Sequence, residues 1–151
     1  YITHLKRIMN PVTEMFQRSS VGLDFGSGPE PVLYRLFKRA GYSMEKYDKF
    51  YATDQKVLGK TYHFITICEV IEHIHEPMPV IQKLYSLLKS GGCLFIMTGM
   101  TDTLYSFKEW NYKNDRTHIS FYSHKTFEFI AGILGCDAVF STDGIIILQK
   151  G

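Results

Sequence analysis

Val21-Gly22-Leu23-Asp24-Phe25-Gly26-Ser27-Gly28 is the stretch whose reading decides the fold. An apolar run ends in two glycines one residue apart, and a helix-like pattern follows from Pro31. That order reads as a strand, a tight turn and a helix N-terminus. The glycines permit backbone angles that a Cβ forbids. They also leave bare N–H groups at the helix start to meet a ligand. Asp24 narrows the choice of ligand. A dinucleotide fingerprint reads G-x-G-x-x-G, and here its last glycine falls on Pro31, so that pattern fails. A carboxylate just before the glycines repels a pyrophosphate. It suits a ligand with an ammonium group and hydroxyls.

Outward from this stretch, strands alternate with helices. Upstream, Ile2, Leu5, Ile8, Met9, Val12, Met15 and Phe16 recur at helical spacing, and Pro11 predicts a kink or two short helices. Residues 20–25 form the first strand. A helix over 31–40 turns Val32, Leu33, Leu36 and Phe37 inward and ends at Gly41. Residues 43–48 form the second strand, closing on Asp48. Only fifteen residues separate Asp48 from Phe64, and 49–61 carry no period, so a loop is expected there. The run 64–68 reads as a buried central strand, and Glu69 to His75 as helical. Pro77 and Pro79 open the next helix. Its stripe is Val80, Ile81, Leu84, Leu87 and Leu88, and Gly91-Gly92 stops it before a strand over 93–98. Residues 99–122 are irregular and rich in aromatics, among them Trp110 and Tyr112, as functional lids often are. Ser123 caps a helix reaching Leu134. Strands over 138–141 and 145–149 meet at an Asp143-Gly144 hairpin turn. The pattern is an α/β sheet with parallel crossovers and a closing antiparallel hairpin.

The 151 residues favour one domain over 1–151, and 45% hydrophobic and 15% aromatic content supplies a core. Net charge is +2 and the basic residues are scattered along the sequence, so nucleic acid is not the expected partner. Cys68, Cys93 and Cys136 have neither an even count nor C-x-x-C spacing, which predicts free thiols rather than a disulfide framework. Together with the lack of a membrane-span run or a signal peptide, they point to the cytoplasm. The sequence begins at Tyr1 rather than Met, which leaves room for residues upstream.

Three successive strands deliver acids near their C-terminal ends: Asp24, Asp48 and Glu69. Open α/β sheets bind ligands along that edge, and an acid placed like Asp48 accepts ribose hydroxyls. Downstream, Glu69, Glu72 and His73 stand at i, i+3 and i+4, one face of a helical turn. Packed carboxylates need a cation or a proton. The plainer reading is that Glu72 and His73 brace a helix. His75 and Glu76 face solvent, and His4, His63 and His124 read as surface residues.

The G-x-D-x-G-x-G pattern from Gly22 to Gly28 resembles the first motif of the class I S-adenosylmethionine-dependent methyltransferases, with Glu30 where that family often has a third glycine. Glu69-Val70-Ile71-Glu72-His73 resembles the E-x-x-E-H motif of two groups within it, ubiquinone-biosynthesis O-methyltransferases and enzymes that methylate the terminal ribose of small RNAs. Thr117-His118 matches their later histidine, and the likeness runs over about residues 20–135. It implies a Rossmann-like, mostly parallel sheet of about six strands, the family's third strand being trimmed away. It implies S-adenosylmethionine as cofactor and a small-molecule acceptor. Asp24, Phe25, Gly26, Ser27 and Gly28 then hold the methionine end, and Asp48 with Lys49 the ribose. Cys68 and Glu69 flank the reactive centre, and His73 or His118 is the base. Glu69, Glu72, His73 and His118 are the implied ligands of Mg²⁺ or Mn²⁺. A cofactor-binding module without catalysis is the alternative. The trimmed segment and Glu30 favour it, and the intact E-x-x-E-H motif opposes it.

Overall fold

The computed structural model describes residues 1–101, 116–117 and 120–151. Their elements are α1 (Ile2–Met15), β1 (Val21–Phe25), α2 (Val32–Arg39), β2 (Ser43–Tyr47), β3 (Tyr62–Cys68), α3 (Pro77–Ser86), β4 (Leu88–Met97), α4 (His124–Leu134), β5 (Ala138–Phe140) and β6 (Ile146–Gln149). One six-stranded sheet runs β2-β1-β3-β4-β6-β5. The first four strands in that order are parallel, and β6 is antiparallel to both β4 and β5. The expected architecture is therefore present, hairpin included.

The alternation of side chains along the central strands builds two cores. Leu23, Ile65, Ile67, Leu94, Ile96 and Leu148 pack with α3 and α4 on one face, and Phe64, Phe95 and Ile147 with α1 and α2 on the other. The trimmed segment holds a 3₁₀ turn, Gln55–Gly59, capped where the Asp54 side chain accepts the Lys56 N–H at 3.0 Å. No strand lies between β2 and β3 in the chain, so β2 is an edge of the sheet.

Several boundaries differ from expectation, each for a physical reason. α1 is one helix with Pro11 inside it, because Leu5, Ile8, Pro11 and Val12 are all buried in the core and hold it together. The helix before β4 ends at Ser86. Leu87 is its C-terminal cap, and Leu88 pairs with Tyr62 as strand, so two apolar residues that fit a helical stripe serve the sheet instead. His63 is no idle surface residue: its Nδ1 accepts the Val21 N–H at 2.9 Å and ties β3 to the start of β1. His124 lies with its ring 4.3 Å from that of Phe140.

α4 starts as expected. The Ser123 side chain accepts the Thr126 N–H at 3.2 Å, Thr126 reciprocates, and Gly135 closes the helix at φ 77°. Ser123→Ala is expected to lose about 1 kcal/mol. Chemical denaturation should show that as a lower midpoint at unchanged slope.

Candidate functional site

The loop after β1 is fixed by the end of β2. Gly26 and Ser27 both donate their N–H to the Tyr47 carbonyl, at 2.7 and 3.1 Å, and Gly28 donates to Asp48 Oδ2 at 2.9 Å. Bare loop N–H groups were expected to meet a ligand. Instead these three are already spent on building the loop. Gly26 is needed for packing: its φ is 79°, and a Cβ there would lie 2.4 Å from Val70 Cγ2. Gly28 also has positive φ, 74°, but its Cβ would meet nothing within 4 Å. One glycine is backed by protein and the other faces open space.

That space is a pocket of about 350 Å³, a volume that suits a small ligand. Its floor is Asp24 with the loop residues Gly26, Ser27 and Gly28. Cys68 and Glu69 form one wall, and Tyr1, the N-cap of α1, with Leu5 of α1 another. The α1 residues gave no sign of this in the sequence, since Leu5 reads as core and Tyr1 as a terminus.

Asp24 is 3% exposed. Burial pushes its carboxyl up to about 7, with the Asp48 charge adding to the rise. A hydrogen bond from the Thr66 hydroxyl, 3.1 Å from Oδ1, and one from the Tyr34 backbone oppose it. Thr66 is the lone hydroxyl in the buried run Phe64–Ile67, and that polar residue in an apolar strand was the available signal for a support group. Ser27 Oγ is buried without a hydrogen-bond partner among the described residues. A buried acid near neutral pKa and an orphaned hydroxyl in one pocket can receive a ligand with a cationic and a polar group.

Asp48 has a structural role at the end of β2. It is 9% exposed, and besides Gly28 it accepts the Phe50 and Tyr51 N–H groups at 2.9 and 3.2 Å on Oδ1. The carboxylate thus organises the glycine loop and its own turn. Phe25 stacks on Tyr47 at 5.4 Å, and the exposed Lys49 places its ammonium 5.2 Å from the Phe50 ring centre. Burial pushes the Cys68 thiol well above its usual range, so it is a neutral wall rather than a nucleophile.

The segment after β3 is not an α-helical turn. Glu69 sits at φ 55°, and only Ile71–His73 form a 3₁₀ turn, so the i, i+3, i+4 face does not form. Glu69 Oε1 lies 3.5 Å from His4 Nε2. Burial and the Arg7 charge push His4 below its usual value, so this contact is not an ion pair at neutral pH. Glu72 is fully buried: Oε2 accepts the Thr98 hydroxyl at 3.0 Å, and Oε1 has no hydrogen-bond partner among the described residues. His73 Nε2 is 4.0 Å from that oxygen. Its Nδ1 is 2.7 Å from the Thr117 carbonyl, which can only accept, so Nδ1 carries a proton. His118, with Trp110 and Tyr112, lies outside the described residues. Among the described residues no three metal-ligating side chains gather. Glu69, Glu72 and His73 do not form the expected ligand set, because Glu69 turns to the pocket mouth while Glu72 turns into the core.

A family model for a methyltransferase domain matches residues 1–139. The ubiquinone biosynthesis O-methyltransferase of Pseudomonas savastanoi pv. phaseolicola is 32% identical over 78 residues, which is 51% of this chain and 33% of that protein. The chain therefore matches about a third of the length of that curated relative. Among solved structures, a SAM-dependent methyltransferase from Archaeoglobus fulgidus superposes with a TM-score of 0.72 at 20% identity, covering 99% of this chain and 94% of that one. The 1,6-didemethyltoxoflavin-N1-methyltransferase of Burkholderia thailandensis, solved with bound 1,6-didemethyltoxoflavin and S-adenosylhomocysteine, gives 0.73 at 12% identity, covering 97% and 78%. At these identities the structures speak for the fold. No helix among the described residues is long and apolar enough to cross a membrane.

Proposed function

Because this chain belongs to the methyltransferase-domain family, whose model it matches over residues 1–139, we propose that it binds S-adenosylmethionine and methylates a small-molecule acceptor. Oxygen is the favoured acceptor atom, ahead of nitrogen or carbon, on the likeness to the ubiquinone enzymes. The observation that carries the reading is the pocket over the glycine loop, floored by buried Asp24 and open above Gly28. When bound, the cofactor supplies an activated methyl group on a sulfonium. Asp24 receives the ammonium, which relieves the penalty of its own burial. Ser27 Oγ offers a hydrogen bond to the adjoining carboxylate. Asp48 acts mainly by holding the loop and keeps one lone pair of Oδ2 for a hydroxyl. Leu5 and the neutral Cys68 thiol, both lining the pocket, limit water around the methyl carbon.

An acceptor hydroxyl must lose its proton as the new C–O bond forms and the sulfonium leaves as a thioether. His73 or His118 is the base on the family likeness alone: His73 is not among the residues lining the pocket, and His118 lies outside the described residues. Thr117 fixes the His73 tautomer by accepting from Nδ1, which leaves the lone pair on Nε2. The expected Mg²⁺ or Mn²⁺ finds no ligand set among the described residues, and no step is assigned to it. S-adenosylhomocysteine at 100 times its Kd should stabilise the fold by about 2.7 kcal/mol. Calorimetric titration with S-adenosylhomocysteine and NADH checks the reading: binding of NADH alone would overturn it. Methyl transfer to a panel of phenols, catechols and amines then separates catalysis from binding.

A further inference from the structure

We propose that the outer face of α2 and the adjoining edge of β2 form a docking track for single-stranded nucleic acid, beside the pocket. Arg35, Lys38 and Arg39 are exposed at i, i+3 and i+4 on α2. Lys46 stands opposite Asp24 in the β1–β2 register, on the face that α2 covers. The Lys46 and Lys38 ammonium groups lie 4.9 and 5.5 Å from the centre of one ring, that of Tyr34. Just past β2, the Lys49 ammonium lies 5.2 Å from the Phe50 ring, and Phe50 and Tyr51 are 73% and 62% exposed. These two aromatics are held in place, because Asp48 accepts both of their N–H groups.

The nearby acids are otherwise engaged. Glu30 pairs with Arg35 at 3.0 Å, and Glu45 pairs with Lys60 at 2.6 Å. Asp48 binds backbone, and Asp54 caps its turn. Lys38 and Lys46 therefore converge on one ring, with no carboxylate partner among the described residues. Like charges brought together raise the local potential, and an anion relieves it. Alternating ammonium groups and aromatic faces match a strand that presents phosphates and unpaired bases in turn. A duplex keeps its bases stacked and cannot use the rings. Along the sequence these groups fall in two stretches, 34–39 and 46–51, which is why no basic stripe was legible there.

The test is fluorescence anisotropy with a labelled oligouridylate of about 20 nucleotides, longer than the ~4–16 that one small fold covers. Binding is expected at low salt and should weaken as salt rises. Lys38→Gln with Lys46→Gln should lower the log–log salt slope by about 1.4, two contacts at ~0.7 each. Tyr34→Ala should weaken binding about tenfold through lost stacking. The lysine pair is on the surface and should leave the melting shift with S-adenosylhomocysteine unchanged, which separates this proposal from the cofactor reading. No anisotropy change at low salt, or a salt slope untouched by the double variant, overturns the track. Capture on phosphatidylglycerol vesicles that the double variant abolishes, with no oligonucleotide binding, would assign the face to lipid and overturn it equally.

Discussion

Asp24→Asn is expected to stabilise the ligand-free protein at about pH 8 and to abolish binding of S-adenosylhomocysteine. The carboxyl titrates at about 7 in the folded chain against an ordinary 3.8. Between those values the folded state holds a proton that the unfolded state has released. The stability this group contributes is therefore fully present below about pH 4 and lost as pH rises through about 7. A gap of about 3 pH units corresponds to about 4 kcal/mol at 1.36 kcal/mol per unit, as an order of magnitude. Asparagine keeps the shape and still accepts from Thr66, with no charge to desolvate. A gain of roughly 2–4 kcal/mol would raise the melting temperature by roughly 5–10 °C. The wild-type melting temperature should fall between about pH 4 and 7 more steeply than that of the variant. Binding of the ammonium ligand needs the ionised carboxylate, so wild-type affinity should weaken about tenfold per unit below about pH 7. A variant that is less stable at every pH, and still binds, would remove Asp24 from the site.

The two glycines of the loop should fail for different reasons. Both have positive φ, so any alanine there costs about 1–2 kcal/mol. At Gly26 the new Cβ also drives into Val70, 2.4 Å from Cγ2, and overpacking adds about 1–3 kcal/mol. Gly26→Ala should lower stability by about 2–5 kcal/mol in urea. Gly28→Ala meets no protein, so it should fold nearly normally. Its methyl group would stand where the ligand lies, and affinity for S-adenosylhomocysteine should drop at least as far as for any other variant of the loop. If Gly28→Ala binds as well as the wild type, the ligand does not rest on Gly28. Equal stability of the two variants would dismiss Val70 as the cause.

The features that could be read from sequence were those fixed by neighbours in the chain. The turn after β1 needs two positive φ angles, and Gly26 and Gly28 announce them. The α4 cap is written in Ser123 and Gly135. The short path from Asp48 to Phe64 left no room for another strand and its helix, and none is present. The features that could not be read depend on distant partners. That Asp48 also holds the glycine loop is invisible until Gly28, twenty residues away, is seen donating to it. His63 looks idle until Val21, 42 residues away, is placed beside it. Spacing alone put Glu69, Glu72 and His73 on one helical face. Instead Glu69 takes the left-handed region and Ile71–His73 form a 3₁₀ turn, which the spacing does not reveal. Periodicity likewise cannot tell a helical Leu88 from one that pairs with Tyr62.

The strand order has a consequence for how the molecule is made. β6 lies between β4 and β5, although it is the last of the three to leave the ribosome. Until Gln149 has emerged, β4 presents an open edge carrying Cys93, Leu94, Phe95 and Ile96, and β5 has nothing to pair with. The parallel half of the sheet can assemble during synthesis. The half that ends in the hairpin closes only once β6 has emerged. A nascent chain stalled before Ile146 would thus hold its glycine loop in place while exposing a long apolar strand edge, the species most prone to mispairing and most in need of a chaperone.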